Sequence, residues 1–214
     1  MRATRARVVV LSAALLFAAG CSGGDPEPSE DFVAQLMATG PLEELWLGAE
    51  TATVTVIEYA SMTCPHCRTF HTTVFDDFKT EMIETGQVRF ALREFPLDER
   101  ATAAIMLARC APGSNGYYAL VAYLYETQDE WAFVGTDVFP DTLFAQVEQS
   151  GFTRDAFESC LANQELFEAV RETFDRGVEL EVDATPTFFV NGKRYPGALT
   201  LEQLRSAVQE ATAG

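Results

Sequence analysis

The stretch Thr53 to Ala60, TVTVIEYA, runs almost directly into Cys64-Pro65-His66-Cys67, and behind it Phe70, Val74, Phe78 and Met82 recur every four residues up to Gly86. The first stretch is β-branched and aromatic with a nearly continuous apolar character, which predicts a strand buried on both faces. The second has a helical period and Gly86 stands where a helix would stop, so Cys64 to Thr85 reads as one helix fed by the strand. Gln87 to Phe95, QVRFALREF, reads as the next strand, closed by Pro96. Strand, helix and strand at these lengths form a βαβ unit, and the chain is therefore of the α/β class.

Beyond this unit the period changes. From Leu97 to about Gly177 only helical patterns occur: Ala101 to Cys110, Tyr117 to Tyr125, Pro140 to Ser150, Thr153 to Ala162 and Gln164 to Arg176, separated by Gly, Pro and Asn. Strand character returns at Thr187 to Val190, turns on Asn191-Gly192, and comes back through Lys193 to Tyr195, a type I′ hairpin signature. A last helix starts at Thr200, whose hydroxyl can cap it, with Leu201, Leu204 and Val208 as its apolar stripe. At the other end, Asp31 to Leu47 reads as a short helix, then a Gly40-Pro41 break and a weak first strand. The organisation expected is an α/β domain over 45–96 and 178–214, interrupted by an all-helical insertion over 97–177 and preceded by a tether and short helix over 22–44.

Residues 1–21 read as a leader. Arg2, Arg5 and Arg7 precede thirteen apolar or small residues, Val8 to Gly20, too short to span a bilayer, since a helical crossing takes about 20. The run ends Ala18-Ala19-Gly20 before Cys21, which resembles the lipobox of bacterial lipoproteins, with Ala18 where Leu is usual. Cys21 is thus a lipidation site on this reading and the chain is exported to the periplasm or extracytoplasmic face, held to the membrane by its lipid. Ser22 to Glu30, SGGDPEPSE, reads as a solvated tether. The whole chain carries 15 Lys plus Arg against 32 Asp plus Glu, a net charge of −17, and losing the leader takes away Arg2, Arg5 and Arg7 but no acid. An excess of acid this large excludes a nucleic-acid partner, because nothing neutralises phosphates.

Export gives meaning to the cysteines, since thiols outside the cytosol tend to be paired or catalytic. Cys64 sits at the strand–helix junction, where unpaired N–H groups at a helix N-terminus favour a thiolate. Pro65 suits the first helical position, and His66 offers a donor or positive charge close to the Cys64 sulfur. Cys67 lies one turn inside. The difference assigns Cys64 as the exposed nucleophile that forms mixed disulfides and Cys67 as the resolving thiol, in a pair that passes oxidation to other thiols. A zinc site would need further ligands in the right spacing, and c-type haem would need His at position 68, which is Arg. No metal or organic cofactor is required for this chemistry.

YASMTCPHC followed by a helix, with Ala184-Thr185-Pro186-Thr187 before a late strand, resembles the DsbA-like branch of the thioredoxin superfamily, from about Leu47 to the C-terminus. The resemblance implies a thioredoxin fold with an inserted all-helical domain. It implies that Pro186 is cis and packs against the active-site disulfide, that Thr185 pairs its backbone with a substrate chain, and that Glu58 is a buried acid relaying the proton of the resolving thiol. It further implies unfolded exported proteins with reduced thiols as substrates, and a membrane quinone-linked redox partner of the DsbB or VKOR type. Met62 and Thr63, beside the CPHC, are expected to frame the catalytic surface, and His71 to lie on the helix surface. Cys110 and Cys160, both on helices of the insertion, are paired here as a structural disulfide, with a reducible bridge or two free thiols as the alternatives. Most aromatics of the insertion, among them Tyr117, Tyr125, Trp131 and Phe133, read as core.

Two rival functions stay open. Thr185 before the proline is common in isomerases of this superfamily, so an isomerase or reductase using the same cysteines is the first, although residues 22–50 are too short for the dimerisation domain such isomerases add. A holdase that grips clients with the helical insertion is the second.

Overall fold

The computed structural model describes residues 28–213, so the leader, Cys21 and most of the tether lie outside the described residues. The chain enters through α1 (Glu30–Met37), which starts on Ser29 because its hydroxyl accepts from the Phe32 amide at 3.2 Å. Four strands form one sheet: β1 (Val54–Ala60), β2 (Val88–Glu94), β3 (Thr187–Val190) and β4 (Lys193–Pro196), in the order β2-β1-β3-β4. β1 and β2 are parallel, with Val54 opposite Val88 and Ala60 opposite Glu94, as a strand–helix–strand crossover requires. The hairpin β3–β4 runs antiparallel beside β1 and turns on Asn191 (φ 45°) and Gly192 (φ 90°). The weak strand expected before Leu47 is reduced to one bridge, in which Leu47 and Phe90 exchange both backbone hydrogen bonds at 2.8 Å.

Strand alternation sends Val54, Val56, Glu58 and Ala60 to one face of the sheet and Ile57 and Tyr59 to the other. The first face packs on Phe70, Phe78, Phe90, Phe188 and Leu204 in the main core. The second packs on Leu36, Phe95, Leu180, Val182 and Phe189. Each fully buried aromatic or aliphatic side chain is worth about 1.5–3 kcal/mol, so both faces contribute substantially. Gly177 permits the second layer to close, since a Cβ there would stand 2.8 Å from Phe95 and 3.0 Å from Tyr59.

The single helix expected over 64–85 is three pieces: α2 (Pro65–Thr73), α3 (Phe75–Phe78) and a π-helical turn, Lys79–Ile83. The break falls at Val74, with φ −124°. Phe70 and Phe75 lie five residues apart and would point about 140° away from each other on a continuous helix. Both are buried in one aromatic cluster, with ring centroids 6.0 Å apart, and the break brings Phe75 round to it. The wide turn that follows likewise buries two consecutive residues, Met82 and Ile83.

Between β2 and β3 come six helices: α4 (Glu99–Cys110), α5 (Gly113–Glu126), α6 (Gln128–Trp131), α7 (Phe139–Glu148), α8 (Arg154–Leu161) and α9 (Gln164–Glu179). Tyr117, Tyr125 and Trp131 are wholly buried there, whereas Phe133 is exposed. A disulfide joins Cys110 at the end of α4 to Cys160 of α8. The buried Arg109–Glu94 pair, to which the Tyr117 hydroxyl also donates, ties α4 to β2. The chain closes with α10 (Leu201–Ala213), where the Thr200 hydroxyl accepts from the Gln203 amide at 3.2 Å while the Gln203 side chain accepts from the Thr200 amide at 2.9 Å, a reciprocal cap. Among the described residues no helix is long and apolar enough to cross a membrane.

Candidate active site

The site forms where β1 ends and α2 begins. Cys64 is the N-cap of α2, in extended conformation (φ −77°, ψ 119°), and Pro65 opens the helix without leaving an amide unsatisfied. Its sulfur accepts from the Cys67 amide at 3.4 Å. The Cys64 thiol in turn can donate to the Thr185 carbonyl at 3.3 Å, which brings the late loop, with its cis Thr185–Pro186 peptide, over the sulfur. Cys64 and Cys67 are both free thiols here.

The two thiols are polarised in opposite directions. The neighbouring Cys67 thiol, donating to Cys64, is the largest cause that pulls the Cys64 pKa down, to about 5, against the opposing effect of burial; the Thr185 side chain and the amides of Cys67 and His66 add to the lowering. Burial pushes the Cys67 thiol well above the ordinary cysteine value, and Cys64 and the Glu58 charge push it further the same way.

Four expectations need correcting. Cys64 is only 4% exposed, not open to solvent, because the Thr185–Pro186 loop covers it; Cys67 is more deeply placed still, at 0%. The His66 ring is exposed and makes no side-chain hydrogen bond among the described residues, so it is the His66 backbone amide that helps the Cys64 thiolate, not the imidazole. Met62 is 1% exposed and points into the core rather than framing a surface, since β1 has ended and its side chain continues the main hydrophobic cluster. His71 is not on the helix surface.

His71 is buried, with its Nε2 2.9 Å from Glu58 Oε2. Cys67 and His71 are four residues apart on α2 and share the face that meets the sheet, where strand alternation has placed Glu58. The imidazole stacks on Tyr125 of α5, ring centroids 4.6 Å apart and 16° from parallel. Glu58 Oε1 is buried without a hydrogen-bond partner among the described residues, and the Glu58 charge is one of the causes that raise the Cys67 thiol. The signal was in the sequence: a His one turn after an inward Cys must face inward too.

The remaining residues set the rim. Thr63 donates to Asp98 Oδ2 at 2.7 Å, and Asp98 Oδ1 caps α4 by accepting from Ala101. Thr63, Asp98, Arg100, Phe133 and Phe139 line an open groove beside the catalytic turn. Gln128 of α6, which sequence reasoning passed over, reaches the same turn from the insertion.

Comparisons with known proteins show the family to which this fold belongs. The thioredoxin family model matches residues 42–210. A Rickettsia conorii chain named as a protein-disulfide oxidoreductase is 29% identical over 169 residues, covering 78% of this chain and 60% of the relative. A Bacillus anthracis chain named as disulfide bond formation protein D is 28% identical, covering 68% of this chain and 69% of the other. Among solved structures, Wolbachia pipientis alpha-DsbA1 superposes with a TM-score of 0.76 at 26% identity, over 85% of this chain and 96% of that one. The chain spans about three-fifths of the length of the Rickettsia relatives it matches. With a strand-fed CPHC helix, a cis-proline loop across it and a helical insertion between β2 and β3, the chain belongs to the thioredoxin superfamily, in its DsbA-like branch.

Proposed function

We propose that the protein is an exported thiol–disulfide oxidoreductase that donates a Cys64–Cys67 disulfide to the thiols of unfolded exported proteins. The observation that carries this reading is the opposed polarisation of the two sulfurs, Cys64 held as a thiolate and Cys67 held as a thiol. A dithiol form stabilised in this way makes the disulfide the less stable partner, and the pair an oxidant.

In the oxidised enzyme a substrate thiolate attacks Cys64 Sγ. The S–S electron pair leaves on the Cys67 sulfur, which takes up a proton, and a mixed disulfide joins substrate to Cys64. A second substrate thiolate then attacks the substrate sulfur of that bond, and the electron pair departs on Cys64 Sγ. The substrate has lost two electrons and two protons; the enzyme keeps both electrons and one proton, and the other goes to solvent. On this reading Glu58, with His71 behind it, supplies the proton to Cys67 and receives it when the pair is reoxidised; its burial, its contact with His71 and its effect on the Cys67 thiol support the role. Thr185 positions the incoming chain through its backbone, and Pro186 shields the disulfide.

Reoxidation needs an electron acceptor, for which a membrane quinone-linked partner of the DsbB or VKOR type fits the family. The leader and Cys21 support an extracytoplasmic, lipid-anchored location. Thr185 favours one further reading, isomerase or reductase, and the dithiol–disulfide equilibrium of the purified domain against glutathione separates them. A potential at the oxidising end of the thioredoxin-fold range, near −120 mV on the scale of known members, is expected; a value near −270 mV means that the protein works as a reductant.

A further inference from the structure

The catalytic turn, Ser61 to Cys64, lies between the last residue of β1 and the first of α2; Ser61 O accepts from the Cys64 amide at 3.1 Å and Cys64 O from the Arg68 amide at 3.1 Å, while Met62 O has no backbone donor among the described residues. Ser61, Met62 and Cys64 are nonetheless buried. Buried carbonyls need donors, and the corner between α5 and α6 supplies the one that Met62 O otherwise lacks and a second one each for Ser61 O and Cys64 O. The Tyr125 hydroxyl donates to Ser61 O at 3.2 Å. The Gln128 amide donates to Met62 O at 2.8 Å and to Cys64 O at 3.2 Å. From the other side, Arg68 of α2 donates to Tyr125 O at 3.0 Å and pairs with Asp129 at 3.2 Å.

Gln128 stands apart from the other members of the corner. It is 1% exposed, and both amide protons go to the catalytic turn, while its Oε1 is buried without a partner among the described residues. Among the described residues no other group donates to Met62 O. An apolar side chain of the same volume would avoid burying that unpaired oxygen, so the two donated bonds are what the glutamine contributes at this position.

We propose that Gln128 is a positioning residue for thiol–disulfide exchange: by holding the Met62 and Cys64 carbonyls it fixes the turn that keeps the Cys64 sulfur against the N-terminal amides of α2. The inserted helices are then part of the redox centre as well as a cover for it. Without Gln128 the buried Met62 carbonyl, which has no other donor among the described residues, must find a partner by rotating the turn, which carries the sulfur off the Cys67 amide; Cys64 O keeps the Arg68 amide. The inference deepens the oxidase reading and rests on it for its functional consequence.

The test is to titrate the thiolate absorbance of the reduced full-length protein against pH in wild type, Gln128→Met, Gln128→Glu and Gln128→His, and to measure each variant's equilibrium with glutathione. Met removes both donors at equal volume and Glu replaces them with acceptors. Both should raise the Cys64 acid dissociation midpoint by about one unit and shift the glutathione equilibrium about tenfold toward disulfide, about 30 mV. His keeps one N–H and should recover part of the shift. Asp129→Ala, which loosens the same corner but donates to no carbonyl of the turn, should leave the midpoint in place. Folded Met or Glu variants that titrate with the wild type would overturn the proposal, as would an equal shift in Asp129→Ala. If Gln128→Met does not fold, the Glu and His variants still decide between these outcomes. A wild-type protein with a reducing potential would instead remove the oxidase reading, and the Gln128 shift would be read independently of it.

Discussion

The described residues hold two cysteine pairs, and they are built on opposite plans. Cys64 and Cys67 are three residues apart, on one turn of one helix, in a cradle of backbone amides and a buried acid. Cys110 and Cys160 are fifty residues apart, on two different helices of the insertion, with Cα atoms 6.3 Å from each other. A bond across the short loop constrains very little chain entropy, whereas one across a fifty-residue loop is worth about 4 kcal/mol in the chain-entropy model. The long-range pair is suited to holding helices together, and the short-range pair has little to contribute except chemistry. What distinguishes them electrically is the setting of Cys64: the Cys67 thiol first, then the Thr185 side chain and the amides that open α2, pull its pKa down to about 5.

Breaking each pair should therefore have different consequences. Cys64→Ala should abolish oxidation of a reduced model protein, read by free-thiol assay, and a variant that oxidises at the wild-type rate would show that the chemistry lies elsewhere. Replacing Glu58 by Leu takes away the proton carrier while filling its space; with general acid–base groups typically contributing 10²–10⁴-fold, stopped-flow reduction of the enzyme disulfide should slow by about 10². The double variant Cys110→Ala/Cys160→Ala should lose about 4 kcal/mol of stability in chemical denaturation while still transferring its disulfide. If it kept full stability but lost transfer, the two pairs would have to exchange roles.

A smaller effect lies in the pH dependence of stability. The folded-state Cys64 pKa of about 5 is below its ordinary value of 9.0, so the reduced native state binds fewer protons than the reduced unfolded chain over that interval. Its stability contribution is complete above pH 9 and is lost as pH falls through 5. Cys67, raised above the ordinary value, adds nothing within this window. The oxidised form has no Cys64 proton to lose, and the difference in melting temperature between reduced and oxidised protein should widen steadily from pH 5 to pH 8. A constant difference would mean that Cys64 is an ordinary thiol.

The strands and the hairpin were legible in the sequence because each carries its own local signal: β-branched and aromatic apolar runs in TVTVIEYA and QVRFALREF, and Asn191-Gly192 for the turn. The position of Cys64 at a helix start followed from Pro65 and the apolar period behind it. Features that depend on distant chain segments were not legible. The break at Val74 answers to an aromatic cluster that Phe90 of β2 and Phe188 of β3 help to build. The covering of Cys64 comes from Thr185, and the donors for its turn come from Gln128, sixty-four residues along the chain. His71 is the intermediate case, since its spacing from Cys67 pointed inward but only the placement of Glu58 across the core gave it a partner.

The central claim is that the fold keeps the Cys64 sulfur ionised at neutral pH. Titrating the thiolate absorbance of the reduced protein, with Cys64→Ala as the blank, measures this directly. A midpoint near 5 is expected. A midpoint near 9, the ordinary value for a free cysteine, would contradict it.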